Sequence, residues 1–141
     1  MDYGRRVEEF LGDESHYQGP DPRITSENFP PTHTGRRRVR MTFARFVANG
    51  WAESEALAAF KEKGLRPADL REVLTFGEKY EGALGGASIV PLGSPLQIAE
   101  GRVHPVLHES RDSARNRYLD ILSLDWHYSN ADFPAFALID I

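Results

Sequence analysis

Apolar positions are sparse in the first third of the chain, recur at helical spacing in the middle and alternate in the last third. Between residues 13 and 36 only Tyr17, Ile24 and Phe29 are large and apolar, and Pro20, Pro22, Pro30 and Pro31 interrupt any regular ladder. Residues 1–12 are read as a short N-terminal helix and residues 13–37 as a Pro-rich arm or long loop. Such an arm has too little apolar surface to offset its own ordering entropy. When ordered it must therefore lie on this domain's core or on a neighbouring chain, with Tyr17, Ile24 and Phe29 as anchors. Residues 38–141 read as a single α+β domain.

Within it, residues 38–80 are expected to be helical. Val39, Phe43, Phe46 and Val47 fall at i, i+4, i+7 and i+8, and Asn49-Gly50 supplies a left-handed stop. A second helix is expected from Glu53 to Lys63, with Ala56, Leu57, Ala59 and Phe60 facing inward, acids in its first turn, lysines in its last and Gly64-Leu65 as its cap. A third opens at Pro67, has Asp69 in its first turn, buries Leu70, Val73 and Leu74, and ends near Gly77 or Tyr80.

Beyond residue 87 the period falls to two. Ile89, Val90 and Leu92 form one short run, Leu96 to Ala99 another, and Arg102 to His108 sets Val103, Pro105 and Leu107 against His104, Val106 and His108. Pro105 cannot donate to a ladder, which predicts an edge or bulged strand there. Tyr118 to Leu124 gives the strongest strand pattern, and Ala135 to Ile141 is apolar on both faces, which predicts a central strand. Helices followed by strands predict an α+β fold, with the N-terminal helices on one face of a mainly antiparallel sheet. On this reading Leu122 and Ile139 are core residues, while Ile24 is dispensable to the free domain.

Composition narrows the chemistry. A chain of 141 residues, 40% of them hydrophobic, suits one domain. Absence of cysteine excludes disulfides, thiolate nucleophiles and cysteine metal sites. No apolar run approaches the roughly 18 residues of a membrane span, and Met1 to Arg6 lacks the apolar stretch of a secretory signal, so the expectation is a cytoplasmic protein without membrane contact. The net charge of -4 is uneven: residues 1–40 carry seven basic and seven acidic side chains, residues 41–80 six of each, and residues 81–141 four basic against eight acidic. A general nucleic-acid binder shows the opposite bias.

Candidate site residues are few. His104, His108, Asp120, Asp125 and His127 are metal-ligand types, but four residues along a strand span about 13 Å, so His104 and His108 do not converge on one ion. No metal or other cofactor is expected. Carboxylate pairs such as Asp120 with Asp125 or Glu109 with Asp112, and a set such as Ser94, His104 and Asp120, arise easily by chance. No nucleophile elbow, Walker A sequence or G-x-G-x-x-G loop is present.

The basic run Arg36, Arg37, Arg38 and Arg40 is the clearest charge feature, able to hold oxyanions by bidentate hydrogen bonds or to pair with carboxylates. Helices two and three resemble a helix-turn-helix in outline, but the mixed charges Asp69, Arg71, Glu72, Glu78 and Lys79 suit a DNA groove poorly. Trp126 and Tyr128, with Phe133 and Phe136, are aromatic types that anchor partners or close a core. The composite expectation is a non-enzymatic protein-protein interaction protein or structural subunit of a larger assembly, of virion-component or inhibitor type. Its partners would be other protein chains, in a homo- or hetero-oligomer, bound through Tyr17, Ile24, Phe29, Arg36, Arg37, Arg38, Arg40, Trp126 and Tyr128. Alternatives are nucleic-acid binding through the arginines, and a metal-dependent hydrolase using His104, His108, Asp120 or His127.

Overall fold

Strand pairing organises the chain around one apolar segment near its C-terminus. A computed structural model describes residues 1–12, 17, 20–43, 50–80, 86–109, 117–122, 128–129 and 132–139. In chain order the elements are α1 (Val7–Leu11), β1 (Val39–Phe43), β2 (Gly50–Trp51), α2 (Glu53–Glu62), β3 (Arg66–Pro67), α3 (Leu70–Lys79), β4 (Ser88–Val90), β5 (Leu96–Ile98), β6 (Gly101–Val103), β7 (Pro105–Glu109), β8 (Arg117–Ile121), β9 (Tyr128–Ser129) and β10 (Asp132–Ile139). The fold is α+β. Five strands run in the order β1-β10-β4-β7-β8, and β3 also pairs with β10. Every pairing in this sheet is antiparallel except that of β10 with β4. β10 is thus interior, as its two apolar faces predict. Ribbons β2-β9 and β5-β6 are separate.

α2 and α3 form where their caps and polarity place them. Gly64 adopts φ +69, and the Leu65 amide returns to the Phe60 carbonyl at 2.9 Å to close α2. α3 starts at Leu70 rather than Pro67, because Asp69 caps it and Pro67 pairs with Phe136 of β10. Residues 39–43, expected to be helical, are instead strand β1, with Arg40 opposite Leu138 and Thr42 opposite Phe136. Val39 and Phe43 share a face at either period, and Met41 between them completes a strand alternation that β10 then stabilises. Phe46, Val47 and Asn49 lie outside the described residues, as do the side chains of Phe136 and Ile139.

The helices do not share one face of the sheet. Ile89, Leu107 and Leu119 pack with Val7 and Phe10 of α1 and with Leu70, Val73 and Leu74 of α3. Val90, Val106 and Leu122 pack with Ala56 and Phe60 of α2 and with Trp51. Adjacent strand residues point to opposite faces, so a strand apolar at both 106 and 107 needs cover on both sides. Gly77 permits the close approach of α3, since a Cβ there would sit 2.8 Å from a Leu107 methyl. Pro105, expected at an edge or bulge, is instead the first residue of the interior strand β7, and the Leu122 amide bonds the preceding His104 carbonyl at 2.9 Å.

The arm docks on its own domain. Tyr17, Ile24 and Phe29 are buried in the cluster beneath α1 and α3. The Asp21 amide donates to the Leu119 carbonyl at 3.1 Å, and the buried Arg71 guanidinium donates to the carbonyls of Phe29 at 2.6 Å and Arg5 at 2.9 Å. Glu8 of α1 clasps the arm, accepting from the Ser26 amide at 2.9 Å and its hydroxyl at 2.6 Å. These bonds pull the Glu8 carboxyl down to about 2.

Two outcomes follow. Ile24→Ala should cost about 2 to 5 kcal/mol in urea unfolding, as much as Leu119→Ala, because both vacate the same core; a loss below about 0.5 kcal/mol would detach the arm from that core. Glu8 has a folded pKa below its ordinary value, so its contribution is complete above pH 4.5 and is lost as pH falls towards 2. The protection factor of the Ser26 amide, the exchange rate of an unstructured amide at the same pH divided by its own, should fall over that window, and Glu8→Gln should flatten the response.

Candidate functional site

The basic run meets an antiparallel strap made by the chain's first residues. The Tyr3 amide donates to the Gly35 carbonyl at 3.0 Å, the Arg37 amide donates to the Met1 carbonyl at 2.8 Å, and Asp2 bridges to Arg36. Arg36, Arg37, Arg38 and Arg40 are all exposed. Arg36 lies 3.8 Å from the exposed Asp2 carboxylate, and Arg37 donates to the Thr34 carbonyl at 3.3 Å. They line the approach to β1.

β1 is the terminal strand of the sheet, and among the described residues only β10 pairs with it. Against it opens a groove of about 610 Å³. Val39 and Met41 supply one wall, and Glu72, Thr75, Phe76 and Lys79, a single stripe at i, i+3, i+4 and i+7, supply the other. Arg40, Thr42, Met1, Leu65 and Tyr80 complete the lining. Tyr80, 50% accessible, is the one exposed large apolar side chain among the described residues. Phe76 packs between Phe43, edge to face, and Tyr80, tilted, with centroids 5.0 and 5.1 Å away.

Behind the groove lies a buried polar network. Arg66 donates to Glu72 Oε1 at 2.8 Å and Oε2 at 2.6 Å, the Tyr3 hydroxyl donates to Oε2 at 2.6 Å, and the Asp69 amide donates to Oε1 at 2.9 Å. The Glu72 amide donates to Asp69 Oδ1 at 2.8 Å, and Thr32 donates to Oδ2. Burial by itself would raise the Glu72 carboxyl, but these donors outweigh it and leave it lowered. Burial, then the neighbouring Glu72 charge, raises Asp69. Burial and Glu72 likewise raise Tyr3. Opposed shifts in paired carboxylates also mark acid-base sites, but here all four carboxylate oxygens already accept protein donors. The pair is a structural clamp.

The other candidate residues are dispersed. Tyr17, Ile24 and Phe29 face the core, so their side chains present nothing to a partner. Tyr128 stacks on Trp51 at 4.1 Å with the rings nearly parallel, and Gly50 beside it is required because a Cβ would lie 2.5 Å from the Tyr128 carbonyl. Asp112, Asp125, Trp126 and His127 lie outside the described residues. His108 Nδ1 shares a hydrogen bond with Ser88 at 2.8 Å, Asp120 is exposed, and His104 is buried beside Glu53, its Nε2 3.4 Å from Oε1 without a hydrogen bond. Among the described residues no three such groups could hold a metal. Ser94, a possible nucleophile by residue type, accepts from the Leu70 amide at 2.7 Å and supports the start of α3. The helix-turn-helix outline is not formed: β3 intervenes, α2 and α3 join different clusters, and six of the ten α3 residues are buried. No described helix is long and apolar enough to cross a membrane. Comparison with protein-family models, curated proteins and solved structures finds no match.

Sequence reasoning found the arginines but missed the groove and the clamp. The groove is hidden from the sequence because Val39 and Phe43 fit a helical period as well as a strand's. The spacing Asp69-x-x-Glu72, an acidic variant of the capping box, was the available signal for the clamp.

His104 yields a pH test. Burial, with Arg102 nearby, lowers its pKa against the opposing pull of Glu53. A depressed base binds fewer protons folded than unfolded, so its stabilising effect is complete above about pH 6.5 and is lost as pH falls. Thermal melts from pH 7.5 to 5 should show a declining Tm, with a shallower decline in His104→Gln. Identical slopes would show that His104 does not control this window.

Proposed function

We propose that this protein is a non-enzymatic interaction module, a subunit or inhibitor-type chain that engages an acidic surface of another protein through Arg36, Arg37, Arg38 and Arg40. The observation that carries this reading is the exposure of all four guanidiniums beside an open apolar groove. Charged rims steer encounter and apolar pockets supply binding energy, the division of labour common in protein interfaces. The dispersal of His104, His108 and Asp120 offers no support for a hydrolase. A cytoplasmic setting, expected from composition, belongs to the same proposal.

The second reading is nucleic-acid binding, because bidentate arginines serve phosphates as well as carboxylates. One experiment separates the two. A random peptide library on phage is panned against the chain and against the Arg36→Ala/Arg37→Ala/Arg38→Ala variant, and both proteins are titrated with duplex and single-stranded DNA in low salt. Acid-rich peptides should enrich on the parent chain and vanish on the variant, with no DNA retained. Failure to enrich any peptide, or arginine-dependent DNA binding that falls steeply with salt, would overturn the protein-partner reading.

A further inference from the structure

The ribbon β5-β6 is fastened chiefly at its base. Its strands pair only with each other, Leu96 with Val103 and Ile98 with Gly101. One leg is fixed where the Gly93 amide donates to the Ala68 carbonyl at 2.8 Å and the Ser94 hydroxyl accepts from the Leu70 amide at 2.7 Å. The other is fixed where the Leu122 amide donates to the His104 carbonyl at 2.9 Å. Between these points Leu96 packs on the core and Val103 is buried. Among the described residues one ion pair, Arg102 with Glu53 at the start of α2, ties the ribbon to another element.

That ion pair has a competitor. Arg102 donates to Glu53 Oε1, and the same oxygen lies 3.4 Å from Nε2 of His104, at the foot of the ribbon, without accepting a hydrogen bond from it. His104 is 4% exposed and its Nε2 has no partner. Buried polar atoms are ordinarily satisfied, so an orphaned imidazole nitrogen marks a place where the closed arrangement is costly. Glu53 and Arg102 are the charged groups that act on the ring. Val103, Pro105 and Leu122 beside it are uncharged, and Asp120 of β8 is exposed and opposite Val106.

We propose that β5-β6 is a pH-released flap, latched while His104 is neutral and freed when its imidazole takes up a proton. The proton puts a charge where water does not reach, and it brings a second cation to an oxygen that Arg102 already holds. Lifting the ribbon relieves both, because it carries Arg102 away and opens the ring to water. Burial, with Arg102 nearby, holds the latched ring below its ordinary 6.5 against the pull of Glu53, whereas the freed ring returns towards that value. Opening therefore takes up a proton and is favoured as pH falls through 6.5, by up to about tenfold for each further pH unit. This release is independent of what the arginines bind.

The chain has no cysteine, so a single introduced thiol reports on one place. Val103→Cys, buried in β6, and Val73→Cys, buried in α3, are each labelled in the full chain with a pyridyl disulfide at pH 7.5 and 5.5. Each rate is divided by that of a short cysteine peptide at the same pH, which removes the titration of the thiol itself. The relative rate should rise about five- to tenfold in the Val103→Cys chain and stay within about twofold in the Val73→Cys chain. Adding His104→Gln to Val103→Cys should abolish the rise. By NMR the His104 ring should titrate below pH 6.5, a readout that needs no His104 variant to fold. Equal rises in the two cysteine chains would mean that the whole domain loosens. A rise that survives His104→Gln, no rise at all, or a ring that titrates at 6.5 or above would mean that His104 does not latch the ribbon. Each of these results overturns the flap.

Discussion

The Glu72 carboxylate is the point through which distant parts of the chain are joined. Taking a charge out of water costs several kcal/mol, and here the cost is offset by the Arg66 guanidinium, the Tyr3 hydroxyl and the Asp69 amide. Each donor comes from a different place. Arg66 belongs to β3, Tyr3 to the N-terminal strap, Asp69 to the cap of α3, and Thr32 carries the network into the arm through Asp69. His33 closes the circle, sharing a hydrogen bond with Thr32 and packing its ring 5.0 Å from that of Tyr3. A segment that left would strand buried polar atoms on the others, and that penalty makes the arrangement cooperative.

The clamp also shapes the exposed surface. β3 pairs with one side of β10 while β1 pairs with the other, so holding Arg66 against α3 fixes that helix over this end of the sheet. The α3 stripe from Glu72 to Lys79 then faces β1 across the groove. Two further buried arginines hold the assembly from behind. Arg71 gathers the carbonyls of Arg5 and Phe29, and Arg117 donates to the Gly77 carbonyl while its guanidinium lies 4.8 Å from the Tyr17 ring. At the surface Arg5 adds a bidentate pair with Glu78 at 2.8 and 2.9 Å. Charged side chains thereby join the low-hydrophobicity arm to a core that its three apolar anchors alone would hold weakly.

Local signals made some of this legible in the sequence. α2 is bounded by acids at its start and Gly64 at its end, and the interior place of β10 follows from apolar residues on both faces. Ambiguity entered where two periods coincide: Val39 and Phe43 are four apart, a spacing that aligns on a helix and on a strand alike, and pairing with β10 decides between them. The arm's anchors could be named, but not the surface that receives them, because nothing local in Ile24 or Phe29 encodes α3. Glu72 was legible only as the capping partner of Asp69, for a similar reason. Its side-chain donors lie six and 69 residues away, and only tertiary pairing assembles them. The separation of His104 from His108 was legible, since strand geometry alone keeps them apart.

The most direct measurement of the central claim is a double-mutant cycle on Arg66→Met and Glu72→Gln, followed by urea unfolding of the full chain. If the carboxylate clamp organises the fold, each single change should destabilise by roughly 3 to 5 kcal/mol, because each leaves a buried partner uncompensated. The double variant should then be more stable than the sum of the two losses implies, by about 1 to 3 kcal/mol. Losses that add to within about 0.5 kcal/mol would mean that Arg66 and Glu72 act independently, and the account of this fold as built around Glu72 would be wrong.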